Sequence, residues 1–219
     1  MSLHRRSLFA VALALAAFPV VAQSRALLVE SAGRGELAEV VRLLRAGAGI
    51  EQRDTRGRTA ILAATDGNHL DVVRELIAHG ADVNAPDSQR DSAFLLAGAR
   101  GYMEIVRATL AAGADLKSTN RYGGTALIPA CHYGHVDTVR LLLGTRIDVN
   151  HVNNLGWTAL LEAVILGNGG PAHTEIVRLL VARNADVSLA DREGITPLGH
   201  ARRRGQREIA EILIRAGAR

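Results

Sequence analysis

A spacing of 33 residues recurs along most of this chain. The repeated position is occupied by Gly47, Gly80, Gly113, Arg146, Asn184 and Gly217, with steps of 33, 33, 33, 38 and 33. Gly and Asn readily take the left-handed conformation in which many helices end, so we expect Arg146 to end its helix with strain. One unit of this size cannot bury its apolar face alone. The repetition therefore predicts a stack of similar units that cover one another.

Two further markers follow the same register. An Asp or Asn, whose side chain can bond nearby backbone amides and open a turn, recurs at Asp54, Asp87, Asn120, Asn153 and Asp191. Apolar residues at helical spacing, as in Ile176-Val177-Arg178-Leu179-Leu180, predict a second helix with one buried face in each unit. Small residues that would let the first helices approach closely stand at Ala64, Ala97, Ala130, Ala163 and Ala201.

The segment Gly194-Ile195-Thr196-Pro197-Leu198-Gly199-His200-Ala201 combines a turn glycine, a capping threonine and a proline suited to the first helical position. With the 33-residue period and upstream variants such as Gly156-Trp157-Thr158-Ala159-Leu160, it resembles the ankyrin repeat. The resemblance implies an all-α solenoid of six helix-turn-helix repeats with protruding β-turn loops. We assign the repeats to residues 26–54, 55–87, 88–120, 121–153, 154–191 and 192–219.

Two departures from the repeat pattern carry structural expectations. Arg90 stands where the other turns have a glycine. The fifth repeat carries five extra residues around Asn168-Gly169-Gly170-Pro171-Ala172. A Gly-Gly-Pro run cannot continue a helix, so we expect this insertion to loop out.

The N-terminus predicts export. Arg5 and Arg6 precede an apolar run from Leu8 to Ala17 that is too short to span a bilayer, and residues 1–22 are interpreted as a signal peptide. Arg5-Arg6-Ser7-Leu8-Phe9 also resembles a twin-arginine signal, so the twin-arginine and general secretory routes both stay open. The mature chain, residues 23–219, is predicted to be a periplasmic monomer with no membrane insertion.

The composition favours binding over catalysis. We find no nucleophile elbow, phosphate-cradling loop or paired carboxylate motif, and we predict no enzymatic activity, cofactor or metal site. Residues 1–22 carry two of the 26 basic residues and none of the 22 acidic ones, so the mature net charge is about +2 and predicts no nucleic-acid partner. Two alternatives stay open. Cys131 with His132 and His135 would serve a metal- or redox-linked stress function, and Arg202-Arg203-Arg204 would bind an anionic polymer.

The resemblance implies that a protein partner contacts the turn tips and the concave face formed by the first helices. Transferred by position, this surface includes Tyr122, Tyr133, Leu155, Trp157, Glu162, Leu166 and His200. Tyr and Trp are enriched among the residues that dominate binding energy. We therefore predict a protein-binding scaffold centred on repeats four and five. An inhibitor or immunity role and an accessory role are both open.

Overall fold

The computed structural model describes residues 27–219, and the predicted signal peptide at 1–22 lies outside this part. Residues 27–219 contain helices and turns but no strand, which confirms the all-α prediction. After a helical stretch at 27–33 (α1), the helices are α2 Leu37–Arg45, α3 Ala60–Asp66, α4 Leu70–Ala78, α5 Ala93–Arg100, α6 Met103–Ala111, α7 Leu127–His132, α8 Val136–Leu143, α9 Ala159–Ile165, α10 Pro171–Ala182, α11 Pro197–Arg203 and α12 Arg207–Arg215.

The helices form six antiparallel pairs stacked in two layers. The first helices α3, α5, α7, α9 and α11 pack in sequence against one another. The second helices, which carry the even numbers from α2 to α12, do the same. The five small residues at the equivalent first-helix position, from Ala64 to Ala201, are all completely buried. Their size lets neighbouring helices approach closely, so each pair is stabilised by the pairs beside it.

The turns between repeats are built by Asp and Asn side chains, as predicted. In the last turn, Asp191 Oδ1 accepts hydrogen bonds from the backbone amides of Glu193 and Ile195, both at 2.9 Å. The same paired bonds are made by Asp54, Asp87, Asn120 and Asn153. Arg90 takes the place of the turn glycine with a left-handed φ of 63°. Each tip is therefore closed by local bonds, and neighbouring tips are joined by bonds such as Asn154 N–H to Tyr122 O at 2.9 Å.

A polar side chain at the start of most second helices ties a repeat to the one before it. His69 Nε2 lies 3.2 Å from the carbonyl oxygen of Gly33, and His135 Nε2 lies 3.2 Å from that of Ala99. Gln206 occupies the equivalent place in the last repeat and donates to the carbonyl oxygen of Val164 at 3.1 Å. These bonds satisfy carbonyl groups near the ends of the preceding first helices.

The predicted strain at Arg146 is wrong. The non-glycine residues with positive φ in residues 27–219 are Asn68, Arg90 and Asn184, so Arg146 avoids the left-handed conformation. Instead, the Thr145 hydroxyl donates to the Leu142 carbonyl at 2.6 Å and accepts from the Ile147 amide at 3.1 Å. A side chain thus replaces the backbone bond that closes the other helices, such as Ala81 N–H to Leu76 O.

The insertion in repeat five does not loop out in full. Helix α9 ends at Ile165, and α10 begins at Pro171 in the first helical position, where a proline is well tolerated. Pro171 and Ala172 therefore lengthen α10 to 12 residues. His173 in this added turn still makes the link between repeats, with Nε2 2.9 Å from the His132 carbonyl oxygen.

The outer face of the second helices carries ion pairs, some of them between repeats. Arg42 pairs with Glu39 at 2.6 Å on the same helix. Arg140 instead reaches Glu175 of the next repeat at 3.1 Å, and Arg178 pairs with Glu208 beyond it. These pairs are exposed and each contributes only tenths of a kcal/mol. The acids beside Arg42, Arg140 and Arg178 oppose the use of these arginines as a ladder for phosphate ligands.

Candidate partner-binding groove

A cavity lies across repeats three to five, on the side formed by the turn tips and the first helices. We call this feature, of about 950 Å³, the central groove. Its lining includes Tyr122 and Leu155 from two turns, together with His132, Tyr133, Glu162 and Leu166 from or next to α7 and α9. The groove thus combines side chains from three successive repeats, which are far apart in the sequence.

Five of the seven predicted binding residues line the central groove. Tyr122, Tyr133, Leu155 and Leu166 are among its most exposed apolar side chains, with 52%, 60%, 48% and 41% of their surfaces accessible. The fifth is Glu162. The two tyrosines and two leucines are four of the seven large hydrophobic side chains that are exposed in residues 27–219. Exposed apolar surface is therefore concentrated in one place, as is typical of an interaction site.

The other two predicted residues lie outside the groove lining. Trp157 is half-buried, and its backbone amide donates to Asn153 Oδ1 at 3.0 Å. His200 is turned onto its own repeat, with Nε2 2.7 Å from Asp191 Oδ2. Sequence position does not reveal that the His200 side chain bonds to the turn of its own repeat.

The two tyrosines at the rim are held by neighbouring side chains. The Tyr133 ring stacks on the His132 ring, with centroids 4.2 Å apart and planes inclined by 10°. The guanidinium carbon of Arg121 lies 4.5 Å from the centroid of the Tyr122 ring. The Tyr122 hydroxyl accepts a hydrogen bond from Arg121 Nη2 at 3.0 Å. Both rings are therefore partly ordered before any partner binds, which reduces the entropy lost on association.

Glu162 lies at the floor of the groove, beneath the surface on which sequence position placed it. Only 6% of the residue is exposed. Asn153 Nδ2 donates to Oε1 at 3.0 Å, and His132 Nδ1 lies 3.5 Å from Oε2. Burial raises the pKa of the Glu162 carboxyl to about 7, although the Asn153 bond opposes the shift. Sequence reasoning found the position but missed the burial.

The other ionisable groups of the groove differ in the direction of their pKa shifts and in their ion pairs. Burial and the nearby Asp87 raise the pKa of Asp91. Burial and repulsion from His173 lower the pKa of His132, which keeps its ring neutral near pH 7. Arg100 is paired with Asp66 at 3.2 Å. The groove therefore contains two carboxyls whose pKa is raised by burial, while Arg100 is paired with an acid and Arg121 contacts Tyr122.

The two alternative functions depend on Cys131 with its neighbouring histidines and on the three arginines of α11 and its C-terminal end. Cys131 is completely buried, and its burial raises the pKa of the thiol well above its usual range, which opposes a reactive thiolate. In residues 27–219, no group of three or more His, Cys, Asp or Glu side chains is arranged to hold a metal ion. Arg202, Arg203 and Arg204 are exposed, and Arg204 donates to the Gly167 carbonyl at 3.2 Å.

The architecture defines a class of protein, a solenoid of stacked helix pairs with a preformed groove. The family described as "Ankyrin repeats (3 copies)" matches residues 27–120 and 94–191. This chain belongs to the ankyrin-repeat family. In the part of the chain that the structure describes, none of the helices has the length and apolar character needed to span a bilayer.

Solved structures of similar proteins agree over most of the chain. An ankyrin repeat domain from Acinetobacter baumannii AYE is 54% identical, with a TM-score of 0.85 over 88% of this chain and 98% of that one. The ankyrin repeat protein EF0377 is 38% identical, with a TM-score of 0.83 over 89% and 98%. The putative ankyrin repeat protein YahD of Escherichia coli K12 is 49% identical over 57 residues, which span 26% of this chain and 28% of YahD.

Proposed function

We propose that this chain is an exported scaffold that binds a periplasmic or envelope protein in the central groove. Ankyrin repeats are generally scaffolds for protein–protein interaction, and the fold is typically non-enzymatic. The observation that carries the proposal is the convergence of Tyr122, Tyr133, Leu155 and Leu166, all exposed, on one groove. Aromatic and large apolar side chains in such a place are the usual anchors of an interface.

The backbone around the groove supports binding without rearrangement. The Asn154 amide donates to the Tyr122 carbonyl at 2.9 Å, so the tips of repeats four and five are bonded to each other. Each tip is also closed by its own Asp or Asn side chain. A surface fixed in this way loses little conformational entropy when a partner docks.

Photo-crosslinking tests the proposed function. A benzoylphenylalanine introduced at Tyr133 should form a discrete adduct in the envelope fraction of the native cells. The matched control is the same photoprobe at Ile214, which is 49% exposed on α12 and outside the groove. Combining Tyr122→Ala with Leu155→Ala should reduce the Tyr133 adduct about tenfold, since each removes an anchor. Equal adducts from both photoprobe positions would contradict the proposal.

Export has its own test. We expect the exported protein to begin at Gln23, after cleavage that follows the small residues Val20-Val21-Ala22. N-terminal sequencing of the protein from the periplasmic fraction measures this directly. Replacing Arg5 and Arg6 with Lys separates the two routes, because the twin-arginine route depends on the arginine pair. An uncleaved precursor in the cytosol would refute export but leave the groove untouched.

A further inference from the structure

We propose that the partner anchors itself in the central groove through a basic side chain, lysine or arginine, whose positive charge is placed against the Glu162 carboxylate. This inference rests on the proposed function and names the chemistry of the partner at its centre. It concerns a protein partner, and the evidence is the state of Glu162 and of the groups around it.

Glu162 has an oxygen available to a ligand. Its side chain is only 8% exposed, yet the residue lines the groove. Oε1 is occupied by the Asn153 amide at 3.0 Å. Oε2 has His132 Nδ1 at 3.5 Å, which is long for a hydrogen bond. One carboxylate oxygen therefore remains poorly satisfied within the fold.

No cation of the described chain neutralises this carboxylate. In residues 27–219, His132 is the one basic group within 4.0 Å of it, and burial together with His173 keeps that ring neutral near pH 7. Of the titratable groups on the packed helices, Cys131 on α7 is a buried thiol. His173 on α10 bonds the His132 carbonyl, and His200 on α11 bonds Asp191. A buried carboxylate without a counter-charge is costly, and a cation from the partner would relieve that cost.

The walls of the groove suit the long stem of a basic residue. Tyr133 has one ring face stacked on His132, while 60% of the residue stays exposed. Leu155 and Leu166 provide apolar surface in the same groove. Lysine and arginine bury their methylene stems against such surface while the charge reaches a polar group, and an aromatic face attracts the cation itself.

The charges at the rim do not favour an acidic partner instead. Arg100 is paired with Asp66, and Arg121 lies over the Tyr122 ring. Asp91 is a second groove acid; burial raises the pKa of its carboxyl, and attraction to Arg121 opposes that shift. An acidic side chain that reached Glu162 would meet a carboxyl group with no Lys or Arg beside it, and such repulsion selects against it.

Peptide selection tests the inference. Random peptides displayed on phage are selected at pH 7.5 against the secreted form of the chain, and separately against Glu162→Gln and the matched exposed control Glu104→Gln. We expect lysine or arginine to be enriched at one peptide position for the wild type and the control, and not for Glu162→Gln. Synthetic versions should bind Glu162→Gln about tenfold more weakly, since a charge-assisted bond is lost.

A second measurement works even if Glu162→Gln folds poorly. On the wild-type protein, norleucine in place of the enriched lysine, or citrulline in place of arginine, should weaken binding about tenfold. Calorimetry at pH 7 in two buffers of different ionisation enthalpy should show proton release on binding, because a bound cation favours the ionised carboxyl.

The outcomes separate this inference from the proposed function. Peptides that lose affinity for Tyr133→Ala, but show no basic preference and bind Glu162→Gln as well as the wild type, would overturn the inference and leave the groove as a protein site. Selection of no peptides, or of peptides insensitive to Tyr133→Ala, would overturn both.

Discussion

Asn153 and Glu162 are linked through their side chains, with Asn153 Nδ2 3.0 Å from Glu162 Oε1. The same nine-residue spacing joins Asp191 to His200 in the next repeat, where His200 Nε2 lies 2.7 Å from Asp191 Oδ2. In both repeats the residue that closes the turn is tied to the first helix. The carboxyl group is on the helix in one and on the turn in the other, and in both cases the hydrogen bond lowers the pKa of the carboxyl that accepts it.

Glu162→Gln should be more stable relative to the wild type at pH 8.5 than it is at pH 4.5. The folded-state pKa of about 7 lies above the unfolded value of 4.5. The wild type therefore loses stability as pH rises between these values, and is unaffected by this group below them. The expected gain of the variant over that interval is about 1–3 kcal/mol, measured by urea unfolding. Exposed Glu104→Gln is the control, and an equal difference at both pH values would contradict this account.

Asp191→Ala should destabilise the last repeat by about 1–2 kcal/mol, since Oδ1 accepts two backbone amides. The bond from the Ile195 amide is the main cause that lowers the pKa of this carboxyl, so its contribution is present above pH 4 and is lost as pH falls through the lower folded value. Hydrogen exchange measured at pH 7 should accelerate most in α11 and α12. Glu193→Ala, at the exposed tip of the same turn, should leave exchange unchanged.

Thr145→Ala should lower the free energy of unfolding by about 1–2 kcal/mol, because the Ile147 amide loses its acceptor and the Leu142 carbonyl its donor. Adding Arg146→Gly should recover much of the loss, since glycine permits the left-handed ending used by the other repeats. Thr145→Ser keeps the hydroxyl and serves as the control in thermal melts. No recovery in the double variant would mean that this helix end is fixed by other contacts.

His135→Ala should cost about 1–2 kcal/mol, because it removes the bond from Nε2 to the Ala99 carbonyl. His135→Gln should retain most of the stability, since Gln206 makes the equivalent bond in repeat six. Chemical unfolding of both variants measures this. His79→Ala, at an exposed helix end, should have little effect, and a loss as large as that of His135→Ala would argue against the link between repeats.

The Cys131 thiol should react with a disulfide reagent only after unfolding. It is completely buried, and its pKa is raised by burial and by the nearby Glu162 carboxyl. We expect the native labelling rate at pH 8 to fall at least a hundredfold below that of the protein in urea, because both access and thiolate formation are suppressed. Fast labelling of the folded protein would revive the redox alternative.

The repeat pattern predicted the backbone because it acts through local chemistry. Asp54 and Asp191 close turns through bonds to amides two and four residues later, and such bonds need no knowledge of the rest of the fold. Arg146 and Pro171 show where this reasoning stops. A neighbouring hydroxyl removed the strain expected at Arg146, and a proline expected in a loop instead began a helix.

The groove was predicted only in part. Tyr122, Tyr133 and Leu155 were identified because position within a repeat sets which residues face the groove. The burial of Glu162 could not be read in the same way, since it depends on Asn153 and on a histidine from the preceding repeat. The equivalent residues in repeats three and four are Leu96 and Pro129, so the repeat gives no precedent for a carboxyl at this place.

The local bonding of the turn tips has a consequence for how such a protein diversifies. Each tip keeps its shape through one Asp or Asn and one residue of positive φ, while Tyr122 and Leu155 project outward from it. New side chains at those two places would alter what the molecule recognises without disturbing the buried alanine row. One repeat can thus change its specificity while its neighbours keep theirs.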